Sequence, residues 1–198
     1  MREISIHHPL RRLFREATSF AFQYSSSLYE RRIVDYLNEE ILVKFIHIDN
    51  LYRIKNSKGK RLEELAEILL EEEKWHLFPS CEIEFHRYIG DFALFIVGIF
   101  PESLRRRVKR TRISKDEIFT QIGSILAPCK DTYEYYIHKG SWAYSEVYRK
   151  LLKKNLEEGE VFKKLSQHFK EYIKIMSLVR TYLDTLKEFS PFKEVLEN

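Results

Sequence analysis

Asp91 is the one charged residue between Tyr88 and Phe100, in a stretch otherwise apolar, aromatic or glycine. A carboxylate inside such a run must find donors or a cation, or else keep its proton. Arg87 stands four residues earlier, and on a helix the two side chains face the same way. His86 adds an imidazole beside it, and Arg53 or Tyr52 is a donor that a neighbouring element can bring in. His86, Arg87, Asp91 and Arg53 therefore make up the expected polar core. Two roles suit that set. An internal Arg87–Asp91 pair would fix helix register, and breaking it would cost about 3–5 kcal/mol. A ligand or acid–base pocket built on His86, Arg87 and Asp91 would use the same groups.

Metal chemistry has a thinner basis. Glu73 and His76 carry the Glu-x-x-His spacing that di-iron bundles place on one helix face, but such sites need a second copy and two more glutamates. The chain has no second copy, and Pro79 follows closely. Glu82, four residues before His86, is the next nearest ligand. The competing reading makes Glu71–Glu73 a solvated face and His76 a helix end, so no metal and no cofactor is expected. Cys81 and Cys129 show neither ligand spacing nor an activating motif. A Ser–His–Asp signature, a nucleophile elbow and a glycine-rich phosphate loop are also missing.

Arg105, Arg106, Arg107, Lys109, Arg110 and Arg112 place six positive charges in eight residues, just before Ser114. Such a cluster suits the phosphates of nucleic acid, a nucleotide or lipid headgroups. No aromatic residue interleaves it and no recognition helix accompanies it. The alternative is a solvated loop docking on the acidic Glu63–Glu73 segment of the same or another subunit.

Length and composition bound what must position these groups. A chain of 198 residues, 44% apolar and 32% charged, is expected to form a single domain, with residues 1–8 as a short arm. Its aromatic content of 14% excludes disorder as a whole-chain state. Lys+Arg 34 against Asp+Glu 30 is near balance, so any polyanion binding must come from clustering. The first twelve residues lack the apolar core of an export signal, and the longest apolar run is too short to span a bilayer. A cytoplasmic protein with reduced thiols and no membrane partner is expected. Abundant Glu, Lys and Arg with two Met and two Cys fits a heat-loving source.

Helical periodicity dominates. Pro9 suits the first turn of a helix to about Tyr24, with Leu10, Leu13, Phe14, Ala17 and Phe20 or Ala21 inward. Ser27 is placed to cap a second helix carrying Ile33, Leu37, Ile41, Phe45 and Ile48. Asn56–Lys60 is a turn hinged at Gly59, and Arg61–Lys74 a third helix. A buried helix follows over about 82–100, with His86, Gly90, Ala93 and Val97 forming a small-residue face for close approach. Pro101 begins a short turn. Ser114 to Glu117 is a capping box opening a helix to about Ala127. Another helix carries Tyr133, Tyr136 and Ile137 and stops near Gly140, and Ser141 caps the next. Phe162, Leu165, Phe169, Tyr172, Met176, Val179, Leu183 and Leu186 repeat as a heptad seam, giving a long C-terminal helix over about 160–188. Ile173, Ile175, Leu178 and Tyr182 widen it into a bundle helix. The expectation is an all-α bundle of six to eight helices.

The segments LYRI at 51–54, KGKRLEELAEILLE at 58–71, HRYIGDFALFIVGIFPESL at 86–104, SKDE at 114–117, KGSWAY at 139–144 and LSQHF with MSLVR further on resemble a family of bacterial all-helical cytosolic proteins of unknown function. The likeness runs from about His8 to Val179 and is most specific in the His86–Leu104 core. It implies a helical cytosolic domain and transfers no activity, cofactor or site residue. The leading expectation is a binding or protein-interaction module, with a homodimer through helices as one partner. Nucleic-acid or phosphate binding at 105–112 is the first alternative, and an acid–base or metal enzyme at His86, Arg87 and Asp91 the second.

Overall fold

Pro9 opens helix α1, Pro9–Gln23, and the imidazole of His8 caps it by accepting from the Leu10 amide at 3.2 Å. Phe14, Ala17, Thr18, Ala21 and Phe22 are its buried face, close to the expected stripe. The computed structural model describes residues 5, 7–24, 28–72, 79–104, 132–154 and 158–186. Ser27, the expected cap of the second helix, and the helix expected from Ser114 lie outside these residues.

Helix α2, Arg31–Asp35, continues directly as a π-helical segment, Tyr36–Val43. The wider i→i+5 ring is rare and tends to occur where side chains must be re-aimed. Here the segment serves several partners at once. Asn38 accepts from Thr18 of α1 at 2.7 Å, Glu39 pairs with Arg11, and Tyr36 and Glu40 reach the other way. Ile33, Leu37, Ile41 and Phe45 are buried as expected, but Ile48 is exposed because the helix has ended and a new one, α3, Ile48–Leu51, begins there.

Residues 54–62 fold back on themselves. The Leu62 amide donates to the Ile54 carbonyl at 2.9 Å, and Asn56 Oδ1 accepts from the amides of Lys58 and Lys60 at 3.0 Å. Gly59 supplies the positive φ of 77° that this turn requires. Because Arg61 and Leu62 are drawn into the turn, the third helix is shorter than its periodicity suggests: α4 covers only Leu65–Leu70.

Helix α5, Pro79–Ile99, is the central element, enclosed by later helices and the π-helical segment. From Tyr88 to Ile99 every residue is buried. Helix α6, Thr132–Lys153, runs unbroken where two helices separated at Gly140 were expected. Glycine costs about 1 kcal/mol in a helix interior, but a Cβ at position 140 would run into the Phe169 ring and lie 2.8 Å from the Ala93 Cβ. Tight packing on Phe169 and on α5, not a helix stop, explains Gly140. Gly90 plays the same part on α5, where a Cβ would meet Tyr144 ring carbons at 2.5 Å. The small-residue face expected there is the one α6 packs against.

The C-terminal seam is buried from Phe162 to Leu183, with Leu186 half-buried, yet it lies on two helices: α7, Gly159–Gln167, and α8, Phe169–Thr185. The break is at His168. Ser141 does not cap a helix; its hydroxyl donates to the Ser166 carbonyl at 2.8 Å, satisfying a group near the broken end. The described residues form no strand beyond an isolated bridge between Lys55 and Arg61. The fold is an all-α bundle.

Candidate functional site

Asp91 is 6% exposed, and its two carboxylate oxygens live in different surroundings. Oδ1 accepts two phenolic hydrogen bonds, from Tyr36 at 2.7 Å and from Tyr144 at 2.8 Å. Those donors come from the π-helical segment and from α6, so three elements meet at one atom. Tyr144 reaches it because Gly90, one residue before Asp91, leaves room for its ring. Oδ2 has the Arg87 Nε at 4.0 Å, beyond hydrogen-bond reach, and accepts no hydrogen bond from any described residue.

Arg87 is tied elsewhere. Its Nε donates to the Tyr36 hydroxyl at 3.0 Å, its Nη2 pairs with Glu40, and its guanidinium lies 5.1 Å over the Tyr36 ring. Glu40 also pairs with Lys44. The expected Arg87–Asp91 pairing is thus present as a long ion pair, while the two tyrosines do the hydrogen bonding. Arg53, expected as a donor to Asp91, instead donates to the Glu84 carbonyl at 3.2 Å and stacks 4.5 Å over the Tyr88 ring. Tyr52 stacks edge-on against Phe92.

Burial pushes the Asp91 carboxyl up to about 6, outweighing Arg87 and the two phenols, which pull it down. Burial and the neighbouring carboxylate hold both Tyr36 and Tyr144 well above the usual phenol range, so they remain donors. The guanidinium of Arg87 is held above its ordinary value despite burial, by Tyr36, Asp91 and Glu40. At neutral pH the result is a buried, mostly ionised carboxylate that can exchange a proton or hold a cation.

A cleft of about 120 Å³ opens onto this carboxylate, lined by Glu40, Lys44, Phe45, Asn50, Arg53, Glu84, Arg87, Tyr88 and Asp91. Sequence reasoning found Arg53, Arg87 and Asp91 but missed Tyr36, Glu40, Lys44 and Tyr144. The available signal was chemical. A carboxylate in an apolar helix needs donors that are themselves mostly apolar, and tyrosines beside buried stripes fit that need.

His86 belongs to a different constellation. Its Nδ1 donates to the Glu82 carbonyl at 2.8 Å, its Nε2 lies 3.4 Å from Glu72, and its ring packs 5.1 Å from Trp142. Glu82 pairs with Lys150 through its carboxylate. The structure therefore separates His86 from the Arg87–Asp91 group. Among the described residues no three His, Cys, Asp or Glu side chains converge as a metal would require. Glu73 and His76 lie outside the described residues, as do Arg105, Arg106, Arg107, Lys109, Arg110 and Arg112. No described helix is long and apolar enough to cross a membrane. No known family, curated protein or solved structure matches this chain.

Proposed function

We propose that the chain is a binding module whose ligand site is the cleft above Asp91. The observation that carries this reading is that Asp91, a buried residue of the cleft lining, has an Oδ2 oxygen with no hydrogen-bond donor among the described residues. Packing alone gains nothing from that charge, whose burial Arg87 and the two phenols only partly offset. A rise from the ordinary value of 3.8 to about 6 corresponds to roughly 3 kcal/mol of disfavour for the ionised form. Asparagine would keep an acceptor for both phenols without that burden. Retaining a destabilising group at a cleft is the signature of a site that trades stability for function. The π-helical segment supports the same reading, since such segments recur at functional sites and this one supplies Tyr36 and Glu40.

Native mass spectrometry of freshly purified protein tests it. A small adduct is expected on the wild type and is expected to vanish in Glu84→Trp, which fills the exposed mouth without touching the core. An adduct equally present in both would place the ligand elsewhere, and bare protein in both would remove the support for a retained ligand.

A further inference from the structure

The charges around the cleft bear on the class of ligand as well as on its existence, provided that the cleft is the ligand site. Two of its cations already have a carboxylate partner. Lys44 and Arg87 both pair with Glu40, while Arg53 holds the Glu84 carbonyl and covers the Tyr88 ring. On the acidic side, Asp91 Oδ2 lacks a hydrogen-bond donor among the described residues, with Arg87 Nε 4.0 Å away, and Glu84 is exposed. An anionic ligand would meet the Asp91 charge, and Arg53, the described lining cation without a carboxylate partner, already lies over the Tyr88 ring. A cationic N–H donor would complete the coordination of Oδ2. At about 120 Å³, and with about 10–15 Å³ needed per water, the space holds roughly ten non-hydrogen atoms.

We infer that the cleft takes a small organic cation, a protonated primary amine or a guanidinium compound, held through its N–H groups by the Asp91 carboxylate. The charged and titratable groups facing Asp91 are Tyr36 and Glu40 from the π-helical segment, Tyr144 from α6 and Arg87 from its own helix. Lys44, Arg53 and Glu84 stand around the cleft. The two phenols stay protonated and Arg87 stays charged, so within this group the Asp91 carboxyl, brought up to about 6, gives the site its acid limb. Protonation removes the charge that holds the ligand.

Calorimetric titration of the full chain with n-butylammonium and with guanidinium tests the proposal. Butyrate, inorganic phosphate and n-butanol serve as anionic and neutral counterparts of similar size. Binding of at least one cation is expected at pH 8, weakening about tenfold by pH 5 while circular dichroism stays unchanged. Asp91→Asn, if folded by the same criterion, is expected to lose that binding, and so is Glu84→Trp. Cation binding that is equally strong at both pH values, or that survives Asp91→Asn, overturns the assignment. If butyrate, phosphate or butanol binds in place of the cations and Glu84→Trp abolishes it, the cationic class is wrong and the cleft remains a ligand site. Failure of every probe, with bare protein in native spectra, overturns both readings.

Discussion

At the residue scale, one carboxylate decides most of the behaviour. The folded carboxyl of Asp91 titrates above its unfolded value, so between about pH 4 and 6 the folded state binds more protons than the unfolded one. Asp91 therefore contributes less stability as pH rises through that window. Asparagine does not titrate. The stability of Asp91→Asn relative to wild type is expected to rise by about 2 kcal/mol between pH 4 and pH 8, measured by urea unfolding at each pH. A pH-independent difference would contradict the buried charge. Tyr144→Phe removes one of two donors to Oδ1, with an expected cost of about 1–3 kcal/mol because the acceptor is charged. Since that bond lowers the Asp91 value, its loss is expected to move the titration further upward, readable from the carboxyl carbon by NMR. That Asp91 would be buried was legible in its neighbours, because twelve flanking apolar and glycine positions leave a helix no wet face. The identity of its donors was not. Tyr36 and Tyr144 are far away in sequence, and a phenol on a buried stripe reads first as packing.

At the element scale, the errors of sequence reading share a cause: tertiary contacts overrode local signals. Gly140 followed by Ser141 resembles a stop and a cap. In the fold the glycine admits α5 and the serine hydroxyl crosses to the Ser166 carbonyl. The same crossing falls where the heptad seam loses its single helix at His168. Nothing local announces that break, since the residues around it are ordinary helix formers. The π-helical segment was equally silent, because its buried residues Leu37 and Ile41 keep the spacing of an α-helix. Close approach carries a direct expectation. Gly90→Ala places a methyl 2.5 Å from the Tyr144 ring and Gly140→Ala one 2.8 Å from the Ala93 Cβ, so each should destabilise by about 1–3 kcal/mol in thermal unfolding. A neutral result at Gly90 would mean that α5 and α6 are not so close.

At the scale of the whole molecule, the helices divide the labour. Helix α5 is held at its C-terminal end by Arg180 of α8, which donates to the Ile99 carbonyl at 2.9 Å and pairs with Glu102 at 2.6 Å. That contact satisfies a terminal carbonyl and complements the helix dipole. Arg180→Ala is expected to cost about 1–2 kcal/mol in urea unfolding without altering the pH dependence assigned to Asp91. Fold class was readable from periodicity because all-helical order needs only local repetition. A cleft is assembled from separate elements, so its walls had no counterpart in any one stretch of sequence.

The contact between Gly90 and Tyr144 has a genealogical consequence. Any side chain at position 90 demands a smaller one at 144, and shrinking the ring surrenders the hydroxyl that steadies Asp91. Descendants of this sequence should therefore inherit the pair together or abandon both, along with the acid they shelter.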